Sequence, residues 1–171
     1  LIELRAFFTA HEAQTYFVAV SGGLDSMLLT SLLIELKLPI EIVHVNYGLR
    51  GDESDSDQQF LAEFCREKHL KFHCKKVDLS TILKAEKTNL QAKARELRYA
   101  YFRELQSRTA QSLIVTAQHK SDQIETFWLQ LARGAGLKGL AGMSTAQEGL
   151  LRPFLAYSRE ELQEFALEFK V

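Results

Sequence analysis

The sequence predicts an α/β fold in which a parallel sheet of about five strands is flanked by helices. Apolar runs of strand length alternate with longer runs of helical period, which is typical of this class. Pro39 and Pro153, the only prolines, fall outside every helical run, which agrees with the boundaries. A length of 171 residues suits a single core, so we expect one domain over residues 1–171.

Five apolar runs indicate strands, and five amphipathic runs indicate helices. The strands are predicted at Tyr16 to Val20, Ile40 to Val45, Phe72 to Val77, Leu113 to Ala117 and Gly149 to Phe154. The helices are predicted at about residues 25–37, 53–69, 89–107, 121–133 and 159–170. Because parallel sheets bind ligands beyond the carboxyl ends of their strands, the residues after Val20, Val45 and Ala117 are expected to share one crevice.

Composition and charge exclude several classes of protein. With 46% hydrophobic and 25% charged residues, the chain is an ordinary globular one, not disordered or fibrous. Cys65 and Cys74 are too few and too far apart for a C-x-x-C metal site, so we expect reduced, structural thiols. We find no membrane span and no leader, which predicts a cytoplasmic protein without membrane contact. Because the chain starts at Leu1 and stops within an amphipathic pattern, we expect a fragment of a longer protein.

The charge pattern allows a nucleic-acid partner only through a local patch. The formal net charge of -1 gives no general attraction to polyanions. From Lys84 to Arg108, however, the sequence contains seven basic residues and only three acidic ones, an excess of four positive charges. A solvated helix face explains this segment equally well.

A turn rich in glycine and hydroxyl groups follows the first predicted strand. Directly after Val20 stand Ser21-Gly22-Gly23-Leu24-Asp25-Ser26. The glycines let backbone N–H groups approach a phosphate, and the positive end of the following helix adds to the attraction. Ser21 and Ser26 have hydroxyls that donate to phosphate oxygens, and the Asp25 carboxylate suits a bridging Mg²⁺. The alternative is a plain turn in which Asp25 or Ser26 is the N-cap.

This turn is neither a Walker A loop nor a G-x-G-x-x-G dinucleotide loop. It resembles the S-G-G-x-D-S loop of the N-type ATP pyrophosphatase superfamily, the PP-loop ATPases. The resemblance implies a Rossmann-like fold of the adenine nucleotide alpha hydrolase class. It also implies that residues 21–26 bind ATP, with Asp25 as a catalytic residue and Mg²⁺ ligand, and that ATP is cleaved to AMP and pyrophosphate.

The segment after the second strand indicates one family within this superfamily. Residues 42–51 read Ile-Val-His-Val-Asn-Tyr-Gly-Leu-Arg-Gly. They resemble the H-V-N-H-G-L-R stretch of tRNA(Ile)-lysidine synthases, with Tyr47 where a histidine is usual. The resemblance implies that His44 and Asn46 bind ATP, whereas the alternative for His44 is a satisfied histidine at a strand end.

A predicted helix carries two arginines on one face. Residues 89–99 are similar to the N-L-E-A-x-A-R-E-x-R-Y helix of the same enzymes, with Gln91 replacing glutamate. Gln91, Arg95 and Arg98 stand at i, i+4 and i+7. Two guanidiniums on one face suit α-phosphate charge or the carboxylate of an amino acid, so we expect Arg95 to be catalytic and Arg98 to bind substrate. Surface arginines paired with Glu96 are the alternative.

The turn after the fourth strand also opens a helix. Residues 118–126 resemble the family's H-H-x-D-D-Q-x-E-T, with Gln118 and Ser121 as departures. We expect His119 and Asp122 to orient or deprotonate an attacking amine, and Glu125 to contact substrate. Capping of the helix by Ser121 or Asp122 is the alternative.

Two further stretches complete the resemblance. Residues 133–140 match the family's R-G-x-G-L-x-G-L run, which implies substrate contacts by Arg133, Gly134 and Gly136, although a glycine loop that ends a helix is an equal explanation. Residues 151–161 resemble the family's R-P-L and S-R-E-E segment, within which Ser158 and Glu161 also form a capping-box pattern.

The ordered matches imply the N-terminal catalytic domain of a tRNA(Ile)-lysidine synthase. The implied reaction uses ATP and Mg²⁺ to adenylate the wobble cytidine of isoleucine tRNA, after which free L-lysine displaces AMP. The C-terminal tRNA-binding domains are expected to lie outside this chain, and the sequence leaves a homo-oligomer open. The alternatives are a tRNA thiolation enzyme, a small-molecule amidating ligase such as an NAD or GMP synthetase, and a nucleotide-binding module without chemistry.

Overall fold

The structure is a computed structural model that describes residues 1–86, 89–132, 134, 136 and 142–171, with only the backbone described at residues 83–86. The helices of these described residues are α1 (Ile2–Thr9), α2 (Leu24–Glu35), α3 (Asp52–Glu67), α4 (Leu79–Glu86), α5 (Leu90–Arg108), α6 (Lys120–Ala132) and α7 (Arg159–Glu168). The strands are β1 (Thr15–Ala19), β2 (Ile40–Asn46), β3 (Phe72–Lys76), β4 (Ser112–Thr116), β5 (Ala146–Gln147) and β6 (Leu150–Leu151). None of the helices in this described part is long and apolar enough to cross a membrane.

The six strands form one sheet in the order β3-β2-β1-β4-β6-β5. β1, β2 and β3 run parallel, with Val18 beside Ile42 and Ile42 beside Phe72. β5 and β6 are antiparallel. The strand order reverses direction between β1 and β4, as it does in doubly wound sheets. The predicted α/β class is therefore confirmed, with a short antiparallel edge added to the parallel strands.

The chain divides into two compact units, each discontinuous in sequence. Unit 1 comprises residues 1–12, 23–38 and 115–171, and unit 2 comprises residues 13–22 and 39–114. The boundary between residues 22 and 23 falls inside the glycine-rich turn. That residues 1–171 act as one domain stays a prediction.

Unit 1 is built around α2 and α7, which pack against each other. α2 is apolar around most of its circumference, and most of its length from Ser26 to Leu33 is buried, including the side chains of Ser26 and Thr30. α7 begins at a capping box in which the Ser158 hydroxyl and the Glu161 carboxylate each accept a backbone N–H. The sequence predicted this capping box.

Unit 2 holds the parallel strands β1 to β3 together with α3, α4 and α5. The strand residues Phe17, Val18, Ile42 and Val43 are buried, which explains why these strands read as nearly continuous apolar runs. The helices add further buried side chains, namely Leu61 and Cys65 of α3, Leu79 of α4, and Tyr101, Phe102 and Leu105 of α5.

The last predicted strand differs most from the structure. Only Leu150 and Leu151 of the predicted run from Gly149 to Phe154 are extended in the sheet, and they pair with β5. The connection between the two strands is the pair Glu148 and Gly149, both at positive φ (49° and 78°). A two-residue turn of this kind matches the twist of a hairpin, which is why the strand is antiparallel and short.

Asp78 caps the start of α4. Its carboxylate accepts hydrogen bonds from the hydroxyl and backbone N–H of Thr81 and from the hydroxyl of Ser80. These bonds, led by that of the Thr81 hydroxyl, lower the pKa of Asp78 from 3.8 to about 2. The stabilisation is therefore complete above pH 3.8 and is lost as the pH falls through about 2.

We expect Asp78→Ala to lower the urea midpoint at neutral pH and to flatten the acid limb of the stability profile. The reason is that the variant loses both the cap and the proton uptake linked to it. Equilibrium unfolding as a function of pH measures both effects. Glu67→Ala, at an exposed acidic position on α3, should leave the acid limb unchanged. An acid limb with the same slope in Asp78→Ala and in the unsubstituted chain would contradict the assignment.

Candidate functional site

The glycine-rich turn has the geometry of an anion-binding loop. Gly22 has a φ of 91°, which a residue with a Cβ rarely adopts. Gly23 is the N-cap of α2, the helix begins at Leu24, and no side chain caps it. The alternative in which Asp25 or Ser26 is the N-cap is therefore wrong. The Ser26 hydroxyl donates to the Gly23 carbonyl at 2.8 Å, which holds the first turn of the helix in place.

Two carboxylates of unit 1 converge on one histidine nitrogen. His119 Nε2 lies 3.6 Å from Asp25 Oδ2 and 3.6 Å from Asp122 Oδ2. These distances exceed hydrogen-bond length but are within the range of a charge interaction. The His119 side chain is only 10% exposed, whereas those of Asp25 and Asp122 are 29% and 40% exposed. The structure thus brings three of the four predicted catalytic residues together.

The orientation of the His119 ring is fixed from the backbone. Nδ1 accepts the N–H of Ser121 at 3.2 Å, so in the neutral ring the proton resides on Nε2, the nitrogen that faces both carboxylates. Asp122 in turn accepts the backbone N–H of His119 at 2.8 Å. Helix capping by Asp122, which the sequence left open, is therefore present, and it also aims the carboxylate.

Two glutamines near this cluster have structural contacts that sequence reasoning missed. Gln118 Oε1 accepts a hydrogen bond from Nε of the buried Arg152 at 2.8 Å, and Arg152 also donates to the Ser144 carbonyl. Gln123 Oε1 accepts the backbone N–H of Met143 at 3.1 Å. Each bond joins the α6 region to the residues that follow position 141. The only hint of these contacts in the sequence was Gln118 itself, which occupies a position where the family has a histidine.

The two predicted ATP-binding residues of β2 have internal partners in unit 2. His44 is buried, and its Nδ1 lies 2.8 Å from the Val20 carbonyl. Because a carbonyl only accepts, Nδ1 carries the proton and Nε2 keeps its lone pair. The buried Asn46 amide donates towards three acceptors, on Ser54, Asp55 and Gln58, and its oxygen accepts the Gly48 N–H. Asn46 therefore anchors the start of α3, and ATP contacts by both residues stay predictions.

The two arginines predicted to share one face of α5 are exposed. Arg95 stacks over the Tyr99 ring, with the guanidinium carbon 4.6 Å from the ring centroid. Arg98 lies close enough to Tyr47 to counteract the rise that burial causes in the pKa of that phenol. The Tyr47 hydroxyl donates to the Ala94 carbonyl at 2.9 Å, so the segment after β2 is tied to α5. Within the part of the chain that the structure describes, Glu96 forms an ion pair with Lys93.

Asp57 is an acidic residue near the turn that the sequence did not single out. A Cβ built on Gly22 would lie 3.8 Å from Asp57 Oδ1, so this carboxylate faces the loop within unit 2. Arg50 Nη2 pairs with Asp57 at 3.2 Å. Its position five residues into α3 gave no motif by which to recognise it.

The remaining predicted substrate residues lie on α6 or beyond it. Glu125 is exposed on α6. Gly134 has a φ of 70° and donates its N–H to the Leu131 carbonyl. A Cβ on Gly134 or Gly136 would meet no atom of the described residues within 4 Å. Arg133 and most of the glycine-rich run lie outside the described residues, as does Lys87 of the predicted basic segment.

Mg²⁺ fits the donor set at Asp25 and Asp122. This ion is usually held by one or two carboxylates, and substrate phosphates and waters complete its octahedron. Among the described residues no cluster of three or more His, Cys, Asp or Glu side chains forms a closed metal cage. An open pair of carboxylates at a helix N-terminus is the arrangement expected when the phosphates themselves supply ligands.

Comparison with known proteins identifies the family of the chain. Residues 2–171 match the family model described as a PP-loop domain. The chain is 38% identical to the tRNA(Ile)-lysidine synthase of Parabacteroides distasonis over 88% of its own length and 34% of that protein. For the enzyme of the same name from Chlorobaculum tepidum the identity is 36%, over 90% of the chain and 48% of the protein. The chain thus spans between a third and a half of these relatives.

A solved structure shows the same fold. The NH3-dependent NAD synthetase from Campylobacter jejuni, in complex with the nitrate ion, superposes with a TM-score of 0.66 over 98% of the chain and 69% of that protein. At 18% sequence identity the likeness concerns the fold alone.

Proposed function

Because the chain belongs to the family of PP-loop domains, which implies ATP binding, we propose that it is the catalytic part of a ligase that forms lysidine. The overall reaction uses ATP to join free L-lysine to the wobble cytidine of an isoleucine tRNA with a C-A-U anticodon. Its products are lysidine in the tRNA, AMP and pyrophosphate. The observation that carries the proposal is the convergence of Asp25 and Asp122 on His119, in a chain 38% identical to an enzyme named for that reaction.

The turn supplies the binding site for the pyrophosphate end of ATP. Gly22 and Gly23 leave room for phosphate oxygens, and the uncapped first turn of α2 presents N–H groups and a positive dipole. Ser21 adds a hydroxyl at the start of the turn. The predicted donation from Ser26 to phosphate is wrong, because its buried hydroxyl donates to the Gly23 carbonyl instead. Since the β and γ phosphates leave together, this turn holds the leaving group while the α-phosphorus is transferred to the cytidine carbonyl oxygen.

Asp25 is the residue of the turn that holds Mg²⁺. When bound, Mg²⁺ neutralises phosphate charge that grows as the α–β bond breaks. Asp25 meets this need because it lies on the first turn of α2, is partly exposed and is aimed towards His119. Asp122 is placed to assist it, since its carboxylate faces the same nitrogen.

His119 orients the attacking amine in the second half of the reaction. The ε-amine of lysine must lose a proton before its lone pair attacks the adenylated carbon and AMP leaves. His119 is nearly buried and its ring is fixed through Nδ1, so its Nε2–H faces the carboxylates of Asp25 and Asp122 and orients them. The Asp122 carboxylate, positioned by His119, is therefore the group that receives this proton.

The exposed guanidiniums of α5 are placed for an anionic partner. Arg95 is held by stacking on Tyr99, which restricts its motion without neutralising its charge. Arg98 lies beside Tyr47. We propose that Arg95 stabilises the α-phosphate and that Arg98, Glu125, Arg133, Gly134 and Gly136 contact lysine or tRNA.

The cysteines argue against the thiolation alternative. A sulfur carrier needs an accessible thiolate, but burial raises the pKa of Cys65 to about 11 and also raises that of Cys74. Both thiols are free and stand nine positions apart on α3 and β3. They have the properties of structural thiols.

We propose that residues 1–171 form one catalytic domain and that further domains contact the body of the tRNA. Support comes from the relatives, which are two to three times as long as the matched segment. The target base lies in an anticodon loop, where an unpaired base is turned into a pocket without opening a duplex. We place the reaction in the cytoplasm, which holds tRNA, free lysine and ATP.

Transfer of labelled lysine to RNA tests the proposal. The full-length protein is incubated with radiolabelled lysine, ATP, Mg²⁺ and isoleucine tRNA carrying a C-A-U anticodon, and label in RNA is counted together with AMP and pyrophosphate. We expect one AMP and one pyrophosphate for each lysine transferred. The matched control is the same tRNA with uridine at the wobble position. It should accept no lysine, because it lacks the exocyclic amino group that donates electron density into the ring and makes the cytidine carbonyl oxygen nucleophilic enough to be adenylated. Absence of label in the cytidine tRNA would refute the lysidine reading.

A further inference from the structure

The side chain of Gln118 is held at its oxygen, while its nitrogen stays available. The oxygen accepts two hydrogen bonds, from Arg152 Nε at 2.8 Å and from the Thr116 hydroxyl at 3.3 Å. Because a guanidinium nitrogen only donates, the amide atom that faces it must be the oxygen, and this fixes the orientation of the amide. Among the residues that the structure describes, the amide nitrogen of Gln118 has no hydrogen-bond partner. Gln118 therefore has N–H donors to offer to a ligand.

Arg152 holds the Gln118 oxygen firmly because Arg152 is itself fixed on several sides. It is buried, with only 5% of its surface exposed. Its Nη1 donates to the Ser144 carbonyl at 2.8 Å, and its backbone N–H donates to the Thr145 carbonyl at 2.7 Å. No carboxylate pairs with it in the described part of the chain, so its positive charge polarises the Gln118 amide. A polarised amide is a stronger N–H donor.

Gln118 lies beside the residues that the proposed reaction requires. β4 ends at Thr116, and Gln118 follows two positions later, directly before His119. His119 in turn approaches the Asp25 carboxylate at the start of α2 to 3.6 Å. If the turn that contains Asp25 binds the β and γ phosphates, the α-phosphate is the next group along the nucleotide. A donor that precedes His119 is thus placed for the α-phosphate oxygens.

We propose that Gln118 donates a hydrogen bond from its amide nitrogen to an oxygen of the α-phosphate, with Arg152 and Thr116 as positioning residues. The inference rests on the proposed function, because it assigns a further contact within the same site. The α-phosphate carries negative charge both in ATP and in the adenylated tRNA, and a preorganised donor stabilises that charge. Since the amide is neutral, it does not repel the ammonium group of the arriving lysine.

The same requirement explains how glutamine serves at a position where the family's motif has a histidine. A neutral imidazole offers one acceptor nitrogen and one N–H donor, and the glutamine amide offers an acceptor oxygen and an NH₂ group. Either side chain accepts from Arg152 at one end and donates at the other. Glutamate keeps the acceptor but has no donor, since a carboxylate only accepts. These three side chains therefore separate donation to a ligand from a role limited to binding Arg152.

Binding of α,β-methylene-ATP with Mg²⁺ tests the contact without any chemistry. This analogue keeps the α-phosphate oxygens but is not cleaved between the α and β phosphates. In the full-length protein, we expect Gln118→Glu to raise its dissociation constant by at least about 10-fold, because a like charge replaces a donor. Gln118→His should bind the analogue as the unsubstituted protein does. Isothermal titration calorimetry measures each dissociation constant.

Two controls identify the phosphate that Gln118 contacts. Inorganic pyrophosphate matches the β and γ phosphates, which we place in the turn, so Gln118→Glu should weaken its binding much less than that of the analogue. Gln163→Glu adds the same charge at an exposed glutamine of α7, outside the candidate site, and should leave both affinities unchanged. Equal weakening of both ligands in Gln118→Glu would indicate general repulsion and overturn the proposal.

The urea midpoint separates donation from a purely structural role. Gln118→Glu keeps the oxygen that Arg152 requires and adds an ion pair, so its midpoint should be no lower than that of the unsubstituted protein. Gln118→Met removes the acceptor and the donor together, so both its midpoint and its affinity for the analogue should fall. Normal binding of the analogue by Gln118→Glu would overturn the proposal. So would weaker binding accompanied by a midpoint as low as that of Gln118→Met.

The measurements distinguish failure of this inference from failure of the proposed function. If the unsubstituted protein transfers lysine to tRNA but Gln118→Glu binds the analogue normally, only the contact is wrong. If no lysine is transferred but Gln118→Glu weakens binding as expected, lysidine formation is wrong and the contact with the α-phosphate stands. If the unsubstituted protein does not bind the analogue at all, both proposals are wrong.

Discussion

Replacing Asp25 by asparagine is expected to lower tRNA-dependent pyrophosphate release from ATP by at least about 10²-fold, since loss of the metal ligand removes several kcal/mol of charge stabilisation. Asparagine has nearly the same shape and cannot replace a carboxylate as a partner for the cation. Asp25 is not the N-cap of α2, so the helix should form normally in the variant. Release of pyrophosphate is measured with γ-labelled ATP, and the fold is checked by circular dichroism.

Glu35→Gln is the matched control for this variant. It removes one negative charge from the same helix at an exposed position near its other end. Its pyrophosphate release should equal that of the unsubstituted protein. Full activity of Asp25→Asn, or an equal loss in both variants, would show that the Asp25 carboxylate has no specific part in ATP cleavage.

Replacing His119 by alanine is expected to separate the two halves of the reaction. Lysine transfer should fall by about 10²-fold or more, because the Asp122 carboxylate that receives the proton loses the imidazole that positions it. Pyrophosphate release should fall less, because the turn of residues 21–26 and the Asp25 carboxylate are retained. The variant should therefore accumulate adenylated tRNA, which is detected as AMP label that stays with RNA and is released by added lysine over long times.

His11→Ala serves as the matched control for the loss of an imidazole. His11 bonds the Phe7 carbonyl at the end of α1 and belongs to no part of the candidate site. Both half-reactions should be unchanged in this variant. Equal losses of pyrophosphate release and of lysine transfer in His119→Ala would assign His119 to the support of Asp25, and the role in amine attack would be wrong.

The parallel part of the fold was predictable because of how its strands are buried. β1 and β2 are covered on both faces, so Phe17, Val18, Ile42 and Val43 produce apolar runs that need no knowledge of their neighbours. The helices α2, α3, α5, α6 and α7 were predicted with ends within a few residues of the observed ones. The exact ends of the helices were harder to predict. α3 was predicted to run to residue 69 but ends at Glu67, and His69 has a φ of 56° although it is not a glycine that would signal a helix end.

Elements that depend on distant contacts were missed. α1 was not predicted, although in the structure Leu4 and Phe8 are buried and Tyr157 bonds Glu3 from the other end of the chain. The hairpin of β5 and β6 was also missed, because its turn uses Glu148 at positive φ where Asn or Asp would have been the recognisable signal. In both cases tertiary contacts decide the structure, and the local sequence pattern is weak.

The candidate site was likewise predictable only in part. The approach of His119 to Asp25 and Asp122 followed from the expectation that residues after parallel strands meet, and the distances confirm it for this part of unit 1. The bond of Gln118 to Arg152 and the position of Asp57 beside Gly22 are pairings across 34 and 35 positions. Residue spacing within a single helix or strand does not predict contacts between different elements, so these contacts could be found only from the structure.

The hydrogen-bond acceptors around Asn46 suit an amide at this position and not a carboxylate. Its amide nitrogen lies within 3.1 Å of three oxygen acceptors, including the Asp55 carboxylate at 2.8 Å. Slow hydrolysis of the amide to aspartate would replace a donor with a charged oxygen and set it against all three. Hydrolysis of the Asn46 amide would therefore release the start of α3 from the end of β2.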